Sequence, residues 1–540
     1  METNHSIRKN MKTNLLHKSF FILCALMFTS FSSARAQETS STYIGPVGGN
    51  WSDPNNWSPA IVPNNSGSQT FNVSIGAEFP GVILDLDVVV SSLNMVNDFS
   101  GILLGDHSLS SAASSVGVNF PDEQYGGGVI YAGTQHASVI ANLGNLADFS
   151  GTTLNTGNYV ADASGVDPGI TSTIQFNGAD IRTSNADIQL LGPGSHIVDE
   201  NGNDALRNFE HNLLDGIFDF ETGRNFTSAG SIVNEGEVHV ISELAGADYP
   251  TTLTINGDYT GIGFPLDPGT IGLTLVLAAG PTGDAKMVIK RNLTNYDAAS
   301  KTLNKTYYVW MAANGRSATT QVLGGKHPLD IVTSKAALNL FGPNTGFRDK
   351  HGNDALRNLA VSARLLIGDR DFTTVDSFTS NSRLSIFGDS NFHVNNHLTI
   401  NGGFFEVSAL TGYARNGEDG FPNDPPYKKS SITVRGNLNL MSGTDFRIRI
   451  FDNPTLPTIT VGGAAVFASS LTVFLLDGAN VTSSDSFTVL TANKITGQFS
   501  NVKSGGRVNV IQDGLVVGTF RVTYSGKSLV LSDFLASHPH

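Results

Sequence analysis

The densest set of oxygen ligands in the sequence is Asp199-Glu200-Asn201-Gly202-Asn203-Asp204, followed by Glu210. Asp199, Asn201, Asn203 and Glu210 fall at positions 1, 3, 5 and 12 of a loop. That is the spacing by which calcium, a large hard cation, collects six or more oxygens. The sharp-turn glycine of such a loop belongs at position 6, where Asp204 stands. A second occurrence of the segment replaces Asn201 and Glu210 by His351 and Ala360. We read the segment as a polar turn, with calcium the one cofactor its residues could bind.

Other residues invite chemistry less strongly. Trp51, Trp57 and Trp310 carry flat apolar faces of the kind that stack on sugar rings. Trp51 and Trp57 bracket Asp53-Pro54-Asn55, and packing in an N-terminal cap is the reading we adopt for them, with a sugar-binding pair as the alternative. Trp310, in Tyr307-Tyr308-Val309-Trp310-Met311, is expected to pack. His393 and His397 lie on a strand-like segment, ~13 Å apart, and cannot share a zinc as a helical pair would. Asp204/Arg207 and Asp354/Arg357 have the spacing of an ion pair on one helical turn. Arg beside acidic groups would also suit a polysaccharide lyase. Because both occurrences carry the pair, we read it as structural. Paired carboxylates such as Asp85/Asp87 are common on strand faces. The sequence holds no Gly-rich phosphate loop, nucleophile elbow or His–Cys pair. No catalytic, cofactor-binding or metal residue is assigned.

What must position these residues is a long β-rich chain. Its 540 residues include 33 Lys plus Arg and 47 Asp plus Glu, a formal charge of −14. That balance argues against nucleic acid as a partner, since phosphate binding needs a basic surface. One Cys excludes a disulfide framework or a thiolate metal site. Arg8, Lys9, Lys12 and Lys18 precede the apolar stretch Phe20 to Phe31, and Ala34-Arg35-Ala36 fits a signal-peptidase site. The pattern predicts a signal peptide over 1–36, which includes Cys24, and a secreted, extracellular or cell-surface location after cleavage near Ala36. No other stretch approaches the ~20 apolar residues of a transmembrane span.

Short segments alternate apolar and polar residues and end in Gly or Asn, as in Thr252-Leu253-Thr254-Ile255-Asn256-Gly257 and Ile432-Thr433-Val434-Arg435-Gly436. Alternation at period two marks strands with one buried face. Residues 180–208 and 330–358 then repeat without a gap, ending in the shared string Gly-Asn-Asp-Ala-Leu-Arg-Asn. The similarity extends to 145–257 and 292–402, closing on Leu-Thr-Ile-Asn-Gly in each. Many short strands, no long helix and few hairpin dipeptides favour a parallel β-solenoid over tandem sandwiches. The expected rod is on the order of 100 Å long, from coils of ~20–25 residues stacked at ~4.8 Å. The expected division is a cap with the Trp motif over 37–110, solenoid modules over 111–260 and 261–404, and final coils with a β cap over 405–540.

The opening Asn-Trp-Ser-x-x-x-Asn-Trp-Ser, the Gly-Arg-x-Phe-Thr and Leu-Thr-Ile-Asn-Gly strands, and the closing Val-Thr-Tyr-Ser-Gly-x-Ser-Leu-Val-Leu resemble secreted bacterial β-solenoid proteins. They are similar to autotransporter passengers and filamentous-haemagglutinin-like surface proteins. The resemblance implies an all-β, right-handed parallel β-helix with terminal caps, and a role in surface structure or adhesion, with extracellular glycans or cell-surface components as partners. The sequence departs from that pattern at its C-terminal end, where no membrane barrel is expected. A polysaccharide lyase or hydrolase on the same fold and a carbohydrate-binding module are the alternatives.

Overall fold

The computed structural model describes residues 36–76, 81–96, 100–117, 128–134, 136–165, 167, 169–242, 249–262, 265–266, 270–271, 275–304, 308–408, 430–450, 458–475, 479 and 481–537. The expected signal peptide, with Cys24, lies outside the described residues apart from Ala36. So does Tyr307. Among the described residues there is no α-helix, and hence none long and apolar enough to cross a membrane.

The molecule is all-β and built from large, parallel-rich sheets of the β-solenoid-like class. Successive strands feed three ladders in turn, here called faces I, II and III. One cycle runs Ser172–Gln175 on face I, Thr183–Ser184 on face II and Asp187–Leu191 on face III. Each strand then pairs in parallel with its counterpart one cycle later, as Ser172 with Ser195, Thr183 with His211 and Asp187 with Ile217. Alternation explains the local choice: in Asp187–Leu191, Ile188 and Leu190 are buried while Asp187, Gln189 and Leu191 point out.

Face III is an unbroken ladder from Gly49–Asn50 to Arg507–Gln512. Seventeen rungs at ~4.8 Å give about 75 Å along the stacking axis, somewhat less than expected. The ladder reaches well into 37–110, where Gln37–Tyr43 also pairs in parallel with Gln69–Ile75 and antiparallel with Trp57–Ser58. At the other end Ser486–Gly497, Arg507–Gln512, Leu515–Tyr524 and Ser528–Ala536 pair antiparallel. This change of direction covers strand edges that a bare parallel stack would leave open.

Face I is interrupted twice, at the same point of each repeat. After Ser195–Val198 the chain folds back, and Ala205 N–H donates to Ile197 O at 2.9 Å. After Asn344–Arg348 it does so again, with Ala355 N–H to Phe347 O at 2.9 Å. The repeated Gly-Asn-Asp-Ala-Leu-Arg-Asn string therefore occupies the edge where the next strand would pair. It is a turn, not the short helix that Asp/Arg spacing suggested. Gly202 and Gly352 carry φ of 80° and 83°, a region open to glycine at little cost. The ladder resumes with Phe226–Ser228 and Phe372–Thr373.

The two Leu-Thr-Ile-Asn-Gly strings are not equivalent positions. Thr251–Ile255 follows Phe226–Ser228 on face I, whereas Leu398–Ile400 pairs with Phe378–Phe387 on face II. The structural partner of Thr251–Ile255 in the second copy is Asn391–Val394.

Candidate functional site

The segment with calcium-like spacing is a polar turn closed on itself. Asp199 is buried, and its Oδ1 accepts from the Asn201 and Asn203 backbone N–H groups, each at 2.9 Å. Its Oδ2 accepts from Asn203 Nδ2 at 2.8 Å and lies 3.6 Å from Arg207 Nη1. The Asn203 amide, ahead of these backbone donors and Arg207, holds Asp199 below the usual carboxylate range. Glu210, the expected twelfth-position ligand, is exposed. Donors and a guanidinium thus fill the place a cation would need. Asp349 repeats the arrangement with His351, Asn353 and Arg357. The Asp204/Arg207 side chains do not pair as expected. Asp204 Oδ1 accepts from Leu206 N–H at 2.9 Å, while Arg207 Nη1 donates to the Asp204 carbonyl at 2.7 Å. In the second copy it is Arg370, 4% exposed, that takes the Asp354 carboxylate at 2.9 Å.

Trp51 and Trp57 are 0% and 1% exposed. Their rings meet edge to face at 4.6 Å, and each indole N–H donates to a carbonyl, of Pro63 and Trp51 respectively. Buried rings with satisfied N–H groups are packing elements, not a sugar platform. Trp310 packs with Ala312, Phe341, Leu366 and Phe387 in a small apolar cluster on the outer side of face III. His397 Nδ1 accepts from Asn437 N–H, and Asp85 from Ser52. Among the described residues no group of three or more His, Cys, Asp or Glu is placed to hold a metal.

Sequence reasoning missed the most unusual chemistry, which lies on outward positions of face III in the first copy. Asp187, Asp219, Glu221, Glu237 and His239 come from three adjacent rungs, Asp187–Leu191, Ile217–Glu221 and Glu237–Ile241. His239 Nε2 holds Glu237 Oε2 at 2.9 Å, and its Nδ1 faces Asp219 Oδ2 at 3.6 Å. Burial alone would lower the His239 pKa, but Asp219 and Glu237 outweigh it and raise it to about 10. Burial, then the Asp219 charge and a hydrogen bond to it, lift Glu221 to about 9. Burial, with Glu237 and Asp219 adding to it against Ile217 N–H and His239, lifts Asp187 to about 7. These shifts favour a protonated His239 beside Asp219 and Glu237 at neutral pH, and a neutral Glu221 able to donate a proton.

The same rungs of the second copy hold different residues. Asp187, Asp219, Glu221, Glu237 and His239 correspond to Ala337, Leu366, Gly368, Arg383 and Ser385. Below them the outward side turns to paired charge. Glu406, 1% exposed, accepts from Arg383 at 3.0 Å and contacts Arg449, while Arg447 lies 3.4 Å over the Phe404 ring. A buried carboxylate with two guanidinium partners is satisfied and structural. The sequence signal for the acidic cluster was a difference between copies at matched positions, where attention to identity led elsewhere.

No protein-family model matches the chain, and no curated protein does.

Proposed function

We propose that the chain is an exported, non-catalytic, right-handed parallel β-helix that acts outside the cell as a structural or adhesive protein, its first 36 residues removed near Ala36. The hand is supported by the rule that parallel crossovers within one sheet turn right-handed. One observation carries the functional reading. The two copies share their inward architecture and their Asp199 and Asp349 turns, yet present unlike chemistry on the same outward rungs. A rod that diversifies its surface over a constant core suits contact with extended partners such as glycans or cell-surface components. The test is size-exclusion chromatography of a polysaccharide panel with and without the full chain. The expected result is unchanged polymer length, with at least one polymer co-eluting with the protein. Shortening of any polymer overturns the non-catalytic reading.

One observation favours an enzyme instead: Glu221 and Asp187 are both raised beside a protonated His239, an acid–base arrangement. Against it, Glu221 and Asp219 lie within hydrogen-bonding reach of each other. Glycosidase carboxyl pairs stand about 5 to 9.5 Å apart. If polymers shorten and Glu221→Gln abolishes the shortening, the enzyme reading replaces ours.

A further inference from the structure

We infer that an open groove on face I of the second copy, flanked by Lys286 and Arg348, binds the carboxylate or sulfate groups of an acidic polysaccharide. The inference rests on the adhesive reading above and names its ligand class.

The groove has a volume of about 340 Å³ and is lined by Lys286, Ser317, Thr319, Gln321, Asn344 and Arg348. These residues come from three successive rungs, Ala285–Ile289, Ser317–Val322 and Asn344–Arg348, with Lys286 opposite Thr319 and Gln321 opposite Arg348. The fold-back turn contributes Gly352 to its lining.

The side chains of Lys286 and Arg348 make no hydrogen bond or ion pair with other described residues, although their backbones are paired in the ladder. The acids nearby are engaged elsewhere. Asp349 is held by His351, Asn353 and Arg357. Asp354 is held by Leu356 N–H and Arg370. Asp284 accepts from the Ser317 backbone N–H at 2.9 Å and from its hydroxyl at 2.8 Å. Two unpaired cations thus flank a floor of hydroxyls and amides on a chain whose formal charge is −14. Charge-assisted donors of this kind recognise oxyanions, and the polar floor suits sugar hydroxyls. The lining contains no aromatic ring.

The first copy supplies the control. Register places Ile140 where the second copy has Lys286, and Val198 where it has Arg348. Thr173 and Gln175 keep the places of Thr319 and Gln321. Gln175 Nε2 donates to Asp199 O at 3.1 Å, as Gln321 Nε2 does to Asp349 O at 3.4 Å. The Gln and the turn are therefore framework common to both copies, and the fold has no need of the cations. Lys286 and Arg348 stand two rungs apart, ~10 Å along the stacking axis. That span matches anionic groups spaced along one polymer better than a single small anion.

The experiment measures binding of the full chain to alginate, dextran sulfate and neutral dextran at low and high salt. It compares wild type with Lys286→Ile/Arg348→Val, which installs the first copy's residues, and with Lys494→Ile/Lys503→Val, which removes the same charge elsewhere. The expected result is salt-sensitive binding of alginate or dextran sulfate, weakened about tenfold by the groove variant alone. The alginate and dextran sulfate arms tell carboxylate from sulfate. Equal loss in both double variants overturns the site in favour of bulk charge. Dextran bound as well as the acidic polymers, and unaffected by the groove variant, overturns the site while the adhesive reading stands. Binding of no polymer overturns both.

Discussion

The first copy's outer face III holds five titratable groups where the second holds alanine, leucine, glycine, arginine and serine. On face I the contrast reverses: the second copy has two unpaired cations where the first has Ile140 and Val198. Inward, the copies agree closely. Ala205, Leu206 and Phe209 are as buried as Ala355, Leu356 and Leu359. Parallel stacking explains the split. Inward residues of each coil pack on those above and below, so a change there disturbs three layers. Outward residues answer only to solvent and to one another. Differences between copies therefore mark where chemistry was free to change.

The largest effect should come from breaking what the copies share. Leu206 and Leu356 are each 0% exposed. Replacing either with Ala should cost about 2–5 kcal/mol locally, as for other buried leucines. Stacked repeats need not unfold as one unit. Hydrogen exchange of the flanking strands is thus the better readout, and both variants should deprotect their own turn to a similar degree. A large inequality would mean that the copies are not energetically equivalent.

A smaller loss should follow from Asp199→Ala or Asp349→Ala. Each carboxylate organises its turn through backbone N–H groups of the same loop. Without it those donors lose their acceptor. Limited proteolysis should then cut within 199–208 or 349–358, in the variant copy only. Added calcium should not protect wild type further, because Asn203 and Arg207 already hold the Asp199 oxygens.

These turns also show how far the sequence could be read. Strand alternation, the repeat and the absence of helix were legible because burial on one side of a strand writes period two directly into residue type. That the Gly-Asn-Asp-Ala-Leu-Arg-Asn string ends a ladder was not legible. It depends on which strand edge the chain folds back upon, a relation between residues of two segments. The two Leu-Thr-Ile-Asn-Gly strings misled for the same reason. Their composition reports a strand and a turn, while the face they occupy is set by how many strands precede them. The Asp187–His239 cluster joins residues up to 52 positions apart through register alone. The groove cations Lys286 and Arg348 meet the same way. Packing of Trp51 and Trp57 was legible, since both bracket a tight turn.

The acidic cluster sharpens the comparison through pH. Glu221 is raised from an ordinary 4.5 to about 9, and His239 from 6.5 to about 10. In both cases the folded state keeps a proton that the unfolded chain has lost. Stability should thus fall as pH rises, through roughly 4.5 to 9 for Glu221 and 6.5 to 10 for His239. Asp187, raised from 3.8 to about 7, adds loss over that lower range. The decline should appear as increasing hydrogen exchange, after correction for intrinsic rate, in Ile217–Glu221 and Glu237–Ile241. It should be weak in Val361–Gly368, whose outward Leu366 and Gly368 do not titrate. Glu221→Gln should flatten the first copy's profile. An unchanged profile would show that Glu221 does not carry a displaced proton.

The subtlest test runs the comparison in reverse. If the face I groove owes its binding to two side chains on a framework both copies share, Ile140→Lys with Val198→Arg should create a second site. The framework is present: Gln175 and Gln321 donate to the Asp199 and Asp349 carbonyls, and each Asp accepts from the backbone N–H groups two and four residues on. Ile140 is 45% exposed, so a lysine there buries no charge and removes little packing. The graft should raise alginate or dextran sulfate binding by only about two- to threefold for isolated sites, and more if one polymer chain spans both grooves. Introduced into the Lys286→Ile/Arg348→Val background, it should restore binding that the background lacks. Failure there, with the fold intact by circular dichroism, would mean that Ser317, Asn344 or Gly346, which the first copy replaces with Thr171, Gly194 and His196, sets more than a passive floor. The cations alone would then not define the site.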